Sequence, residues 1–189
     1  MPNVSCQRMP TQPRAYLDTC VVRDRVELRR KETTLPRLLL TLQHWNEGNG
    51  DIDLVTSQTM KAELQNIKPE DLAIYDFAQY VELYDRLGKV PYVSPAKPGQ
   101  VSYVDGGRGG MTQGGIVEEP EFAELRQILG LSRRHWNDAD HLAQAIIAQI
   151  NYFITVDYNS ILNKRQEVER AFPTIKLGDP TEFVREMGW

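Results

Sequence analysis

Residues 15–22, AYLDTCVV, form an apolar, β-branched run interrupted only by Asp18 and Thr19. That pattern fits a strand buried on both faces, as parallel sheets require, which ends in a polar tip. Outward from it, helical and strand patterns alternate. Leu35, Leu38, Leu39, Leu42 and Trp45 recur at helical spacing behind Thr34, a suitable N-cap, and Gly48 follows the last turn. DLVTS (53–57) predicts a second short buried strand, and QTMKAELQNI (58–67) predicts a helix opening directly from its end. A longer helix is predicted over 69–88, with Pro69 in its first turn and Gly88 as its stop. Helices over 120–129 and 134–150 follow, the second with Ala139, Leu142, Ala143, Ile146, Ile147 and Ile150 on one stripe. YFITVD (152–157) predicts a strand ending in an acid, 158–169 a short helix, TIKL (174–177) a weak strand, and Asp179-Pro180 the opening of a final helix. Strands alternating with helices predict an α/β protein with three layers, α/β/α, around a central, mainly parallel sheet.

The chain has 189 residues, 41% apolar and 25% charged, which excludes fibrous and fully disordered classes. This length predicts a single domain over 1–189, with an N-terminal tail at 1–13 and a Gly/Pro-rich flexible insertion at 94–119. Within that insertion, GQVSYVDGGRGGMTQGG (99–115) holds seven of the thirteen glycines and has little apolar surface to offset the entropy of ordering. GGRGG (106–110) lacks the GxxxxGK[ST] pattern of a phosphate loop, so flexible loop is the better reading. No apolar run is long enough to cross a membrane, and MPNVSCQRMPTQPR lacks the apolar stretch of a secretory signal. A cytoplasmic protein with no membrane partner is expected. Cys6 and Cys20, with three histidines in the chain, cannot build a disulfide scaffold or a cysteine-rich zinc site, so reduced thiols are expected.

With 22 basic and 26 acidic residues the net charge is −4, and no global field draws the protein to nucleic acid. Polyanion contacts must be local. Candidates are the cluster of Arg23, Arg25, Arg29, Arg30 and Lys31, the pair Arg133 and Arg134, and Arg108 in the glycine-rich segment; each alone reads more simply as a solvated face.

In an open parallel sheet ligands bind beyond the carboxyl ends of the strands. The residues there are acids: Asp18 ends the first strand, Asp157 ends YFITVD, and Glu63 lies in the helix after the second strand. Asp138 and Asp140 open the 134–150 helix; two residues apart, they point roughly 200° from one another, and the apolar stripe does not choose between them. Unit charges about 4 Å apart repel by about 4 kcal/mol at an effective dielectric of 20, so clustered carboxylates call for protons or a cation. Oxygen ligands with little histidine or cysteine suit Mg²⁺ or Mn²⁺, which can lower the pKa of bound water and neutralise charge on a phosphoryl group. The plainer alternative makes Asp18 a turn residue, Glu63 a surface acid and Asp138 a helix cap.

The segments AYLDTCVV, LVTSQTMKAEL, NDADHLAQAI and YFITVDYNSIL, in that order, resemble the four acidic motifs of the PIN-domain nucleases, and IKLGDPTEFV resembles the family's closing strand and proline-started helix. The resemblance covers most of the chain outside the first dozen residues and roughly 90–119. It places the family's acids on Asp18, Glu63, Asp138 and Asp157 as catalytic residues and metal ligands, with Thr155 auxiliary as the residue that orients a water or a carboxylate; Asp140 is an acid beyond the family pattern, an auxiliary candidate that joins the site, holds a metal-bound water or is simply solvated. It implies a PIN-like Mg²⁺- or Mn²⁺-dependent ribonuclease acting on RNA, with Arg23, Arg108, Arg133 and Arg134 as candidate substrate contacts. It also favours a homodimer and, because PIN-like proteins of this size include toxins, raises an antitoxin protein as a candidate partner. Cys20 stands where the family often has a small polar residue, which bears on a hydrogen bond near Asp18. A haloacid dehalogenase-type phosphatase would need a second aspartate at that position. The alternative from another class is a non-catalytic PIN-like module that binds RNA or protein. His141 reads as a hydrogen-bonded packing histidine, Trp136 as a packed tryptophan and Cys20 as a structural thiol.

Overall fold

The computed structural model describes residues 13–22, 52–66, 77–91, 120–130 and 136–188. The helix predicted behind Thr34, the opening of the 69–88 helix, nearly all of the N-terminal tail, the insertion at 94–119 and the cations Arg23, Arg108, Arg133 and Arg134 lie outside the described residues. Five strands form one sheet: β1 (Arg14–Leu17), β2 (Asp53–Thr56), β3 (Gly88–Lys89), β4 (Tyr152–Ile154) and β5 (Lys176–Gly178). Their spatial order is β3-β2-β1-β4-β5, and every neighbouring pair is parallel. The described helices are α1 (Gln58–Gln65), α2 (Phe77–Arg86), α3 (Pro120–Leu129), α4 (Trp136–Ile147), α5 (Arg165–Ala171) and α6 (Pro180–Glu186).

Strand alternation builds the layers. Ala15 and Leu17 pack with Met60 and Leu64 of α1, Tyr84 of α2 and Phe183 of α6. Tyr16, between them, faces the other way and packs with Phe122 and Leu125 of α3, Leu142 of α4 and Val168 of α5. Its ring stacks on Phe153 of β4, with centroids 5.3 Å apart. Burial of each such side chain contributes about 1.5–3 kcal/mol, so the two apolar layers hold the sheet between them. None of the helices among the described residues is long and apolar enough to cross a membrane.

Several predicted elements are corrected. The first strand stops at Leu17; Asp18 N–H still bonds Ile154 O at 3.0 Å, and then residues 19–22 wind into a helical turn, Val21 N–H donating to Asp18 O at 3.1 Å. Val21 and Val22 thus reach the core from a turn and not from a strand. Gly88 does not merely end α2 but belongs to β3, beside Val55; a Cβ there would meet Val55 Cγ1 at 3.0 Å, so any other residue obliges the Val55 side chain to shift. The helix predicted over 158–169 is a turn, a 3₁₀ segment at Leu162–Lys164 and then α5, because the Asp157 side chain caps the intervening amides. The final helix opens as predicted, with a capping box between Asp179 and Glu182.

From β1 the sheet runs through β2 to β3 on one side and through β4 to β5 on the other. Strand order therefore reverses between β1 and β4, and the crevice beyond their carboxyl ends is where such sheets bind ligands.

Candidate functional site

At that point lies a cleft of about 300 Å³ lined by Asp18, Thr19, Cys20, Glu63, Leu64, Asn66, Asn137, Asp138 and Asp157. The four acids singled out in the sequence come from four places in the chain: the end of β1, the middle of α1, the first turn of α4 and the segment after β4. Each is held by identifiable partners.

Asp18 is buried, 6% exposed, and two side chains donate to its Oδ2: Thr155 Oγ1 at 2.7 Å and Cys20 Sγ at 3.0 Å. Cysteine thus does form a hydrogen bond beside Asp18. Thr155 Oγ1 in turn accepts from Asp157 N–H at 3.1 Å, so one hydroxyl ties the β1 acid to the β4 segment. Burial, and after it the Asp18 charge, pushes the Cys20 thiol well above its usual range, outweighing its contact with Thr155 and the bond from Val156 N–H. It is a protonated donor to the site.

Glu63 Oε2 lies 3.0 Å from His141 Nε2. Burial alone would raise the Glu63 pKa, but hydrogen bonding and charge from His141, with further bonds from Thr19 and Asn137, bring it below the usual carboxylate range. His141 is 1% exposed. Its Nδ1 meets Tyr16 Oη at 2.7 Å, and its Nε2 also lies 3.2 Å from Thr19 Oγ1 and 4.0 Å from Asp18 Oδ1. Burial pushes this imidazole down; Tyr16, Glu63 and Asp18 outweigh it and hold it well above the usual histidine range. The packing histidine expected at 141 is therefore also the partner of a site acid.

Asp157 Oδ1 accepts from the N–H groups of Asn159 and Ser160, at 2.9 and 3.0 Å. Ser160 Oγ donates to Asp138 Oδ2 at 2.9 Å and makes a short bond to Asp157 Oδ2. A hydroxyl has one proton, so Ser160 Oγ can donate to only one of the two carboxylates at a time. Asp140 points elsewhere: its Oδ1 lies 3.7 Å from Arg126 Nη2 on α3, as the angular separation of the two acids on α4 requires. Asp140 is not among the residues that line the cleft, and this contact lies within the α3/α4 layer.

No family model matches the chain, and no curated protein matches its sequence. The chemical reading therefore rests on the cleft itself.

The donor set is one of hard oxygens, four carboxylates with the amides of Asn66 and Asn137, and it suits Mg²⁺ or Mn²⁺ in kind. As arranged, no three His, Cys, Asp or Glu side chains among the described residues stand close enough to enclose an ion. An open site of this sort fits a small hard cation that retains part of its water shell.

Sequence reasoning missed Ser160, Asn137 and the buried Tyr16–Ser57 contact (2.6 Å between hydroxyls). Ser160 had a usable signal: a serine three residues after Asp157 is the spacing of an acid that caps a turn. Trp136 is packed as expected, with the Arg126 guanidinium 5.1 Å from its ring centroid.

Proposed function

We propose that this protein is a PIN-like, metal-dependent ribonuclease hydrolysing phosphodiester bonds in RNA, in which Asp18, Glu63, Asp138 and Asp157 hold Mg²⁺ or Mn²⁺ directly or through water. The observation that supports it is the convergence of those four acids on one cleft at the reversal point of a parallel sheet. A bound divalent cation would supply Lewis acidity for water activation and neutralise charge on the phosphoryl group. The chain's own residues do the rest. Thr155 and Cys20 fix the Asp18 carboxylate, His141 fixes Glu63, and Ser160 joins Asp138 to Asp157. A homodimer and an antitoxin partner belong to the same proposal and rest on the resemblance; cytoplasmic location rests on the sequence pattern, which has no long apolar run.

One observation favours a second reading, a non-catalytic PIN-like module binding RNA or protein: the acids are engaged by internal hydrogen bonds, and no three enclose an ion as they stand. A metal titration separates the two. At about 100 times its dissociation constant, Mn²⁺ stabilises the native state by about 2.7 kcal/mol, which at this size raises the melting temperature by several degrees. An unchanged transition at millimolar Mn²⁺ and Mg²⁺, with no heat of binding, favours the binding module.

A further inference from the structure

A buried polar chain runs from the start of α1 back to its middle without following the helix. Ser57, the N-cap of α1, contacts Tyr16 Oη at 2.6 Å; Tyr16 Oη contacts His141 Nδ1 at 2.7 Å; His141 Nε2 contacts Glu63 Oε2 at 3.0 Å. Tyr16, Ser57 and His141 are each no more than 1% exposed. Ser57 and Glu63 are six residues apart, about 9 Å along a helix, so the chain grips α1 at two heights, from β1 and from α4. A carboxylate only accepts, so the Nε2 proton belongs to the contact with Glu63, and Tyr16 fixes the ring that presents it.

We infer that His141 and Tyr16 are positioning residues that set the Glu63 carboxylate for cation binding, acting through Glu63 and touching neither cation nor RNA. The inference rests on the reading of the cleft as a cation site. Partners of this kind orient ligands, and their loss typically weakens metal binding about 10- to 100-fold. A histidine that merely filled the core would change stability and leave the affinity of the folded protein alone.

Calorimetric titration of Mn²⁺ into the folded wild type, His141→Ala, His141→Gln and Tyr16→Phe tests this, with circular dichroism to confirm folding. The expected result is a dissociation constant raised at least tenfold in His141→Ala, largely restored in His141→Gln, whose amide can donate from the Nε2 position, and raised severalfold in Tyr16→Phe. Tyr16→Phe keeps the ring that stacks on Phe153, so it serves if His141→Ala fails to fold. Wild-type affinity in a folded variant lacking either contact overturns the inference. If the wild type itself binds no Mn²⁺, the cation reading fails, and proton NMR decides the pairing alone. A slowly exchanging imidazole N–H resonance lost in Glu63→Ala retains His141 as the partner that orients Glu63, and its absence from the wild type overturns that role.

Discussion

Thr155 Oγ1 donates to Asp18 Oδ2 at 2.7 Å, joining the acid that follows β1 to the segment that follows β4 at the point where strand order reverses. The same oxygen accepts from Asp157 N–H, so a single side chain sets the spacing of two site acids. Thr155→Val keeps the shape and removes both bonds. Leaving buried polar groups unsatisfied costs about 1–3 kcal/mol, and a melting temperature lower by several degrees is expected, with weaker Mn²⁺ binding in the folded variant. Thermal unfolding with and without Mn²⁺ measures both; a variant unchanged in each would remove Thr155 from the site.

Asp18→Asn separates the site from the fold. Its amide oxygen can still accept from Thr155 while the variant sheds one of several mutually repelling charges, so the metal-free protein is expected to melt within a few degrees of wild type or above it. Cleavage of RNA should fall by about 100-fold or more, because one of the carboxylates that hold the cation is lost and not merely its support. Full activity in Asp18→Asn would falsify the site assignment.

Asp138 and Asp140 should fail in different ways. Asp138→Asn is expected to cost cleavage and Mn²⁺ affinity with little change in stability, since its side chain faces the cleft and Ser160. Asp140→Asn weakens the contact to the buried Arg126 and is expected to cost about 1–3 kcal/mol of stability with cleavage largely kept. Denaturant unfolding and initial cleavage rates of both variants decide it, and a reversal of the pattern would move the site by two residues.

Cys20 should be a slow nucleophile. Its thiol pKa is raised by burial and then by the Asp18 charge, so at pH 8 the thiolate fraction, and with it the alkylation rate, is depressed in the native protein. Iodoacetamide labelling followed by peptide mass spectrometry is expected to run slower in the native state than in denaturant, in the direction that the raised thiol pKa dictates. Asp18→Asn removes the second cause and should speed native labelling. Native Cys20 that labels as fast as unfolded Cys20 would contradict the contact with Asp18.

Much of this arrangement is legible in the sequence, and what is not has physical reasons. Short apolar runs mark β1, β2 and β4 because strands buried on both faces leave few polar positions, and Asp179-Pro180 marks α6 because a cap and a proline both act locally. β3 escapes because it has only two residues, and its glycine serves pairing with Val55 while also standing where a helix stop would. The turn at 19–22 escapes because Val21 and Val22 are β-branched, and burial is all that such residues reveal. Asp138 and Asp140 cannot be separated by periodicity, since each flanks the apolar stripe; Ser160 and Arg126, distant in sequence, do separate them. The Ser57–Tyr16–His141–Glu63 chain joins β1, α1 and α4, and no local pattern encodes such a contact.

The central claim is that the four-acid cleft cuts RNA with a divalent cation, and incubation of the purified protein with a structured RNA pool in Mg²⁺, in Mn²⁺ and in chelator, followed by end mapping, tests it most directly. Cleavage in either metal, its loss in chelator and in Asp18→Asn, and linear phosphate ends are the predicted result, because water and not the ribose 2′-hydroxyl is the nucleophile. Intact RNA in both metals, cleavage undiminished by chelator, or 2′,3′-cyclic phosphate ends would contradict it.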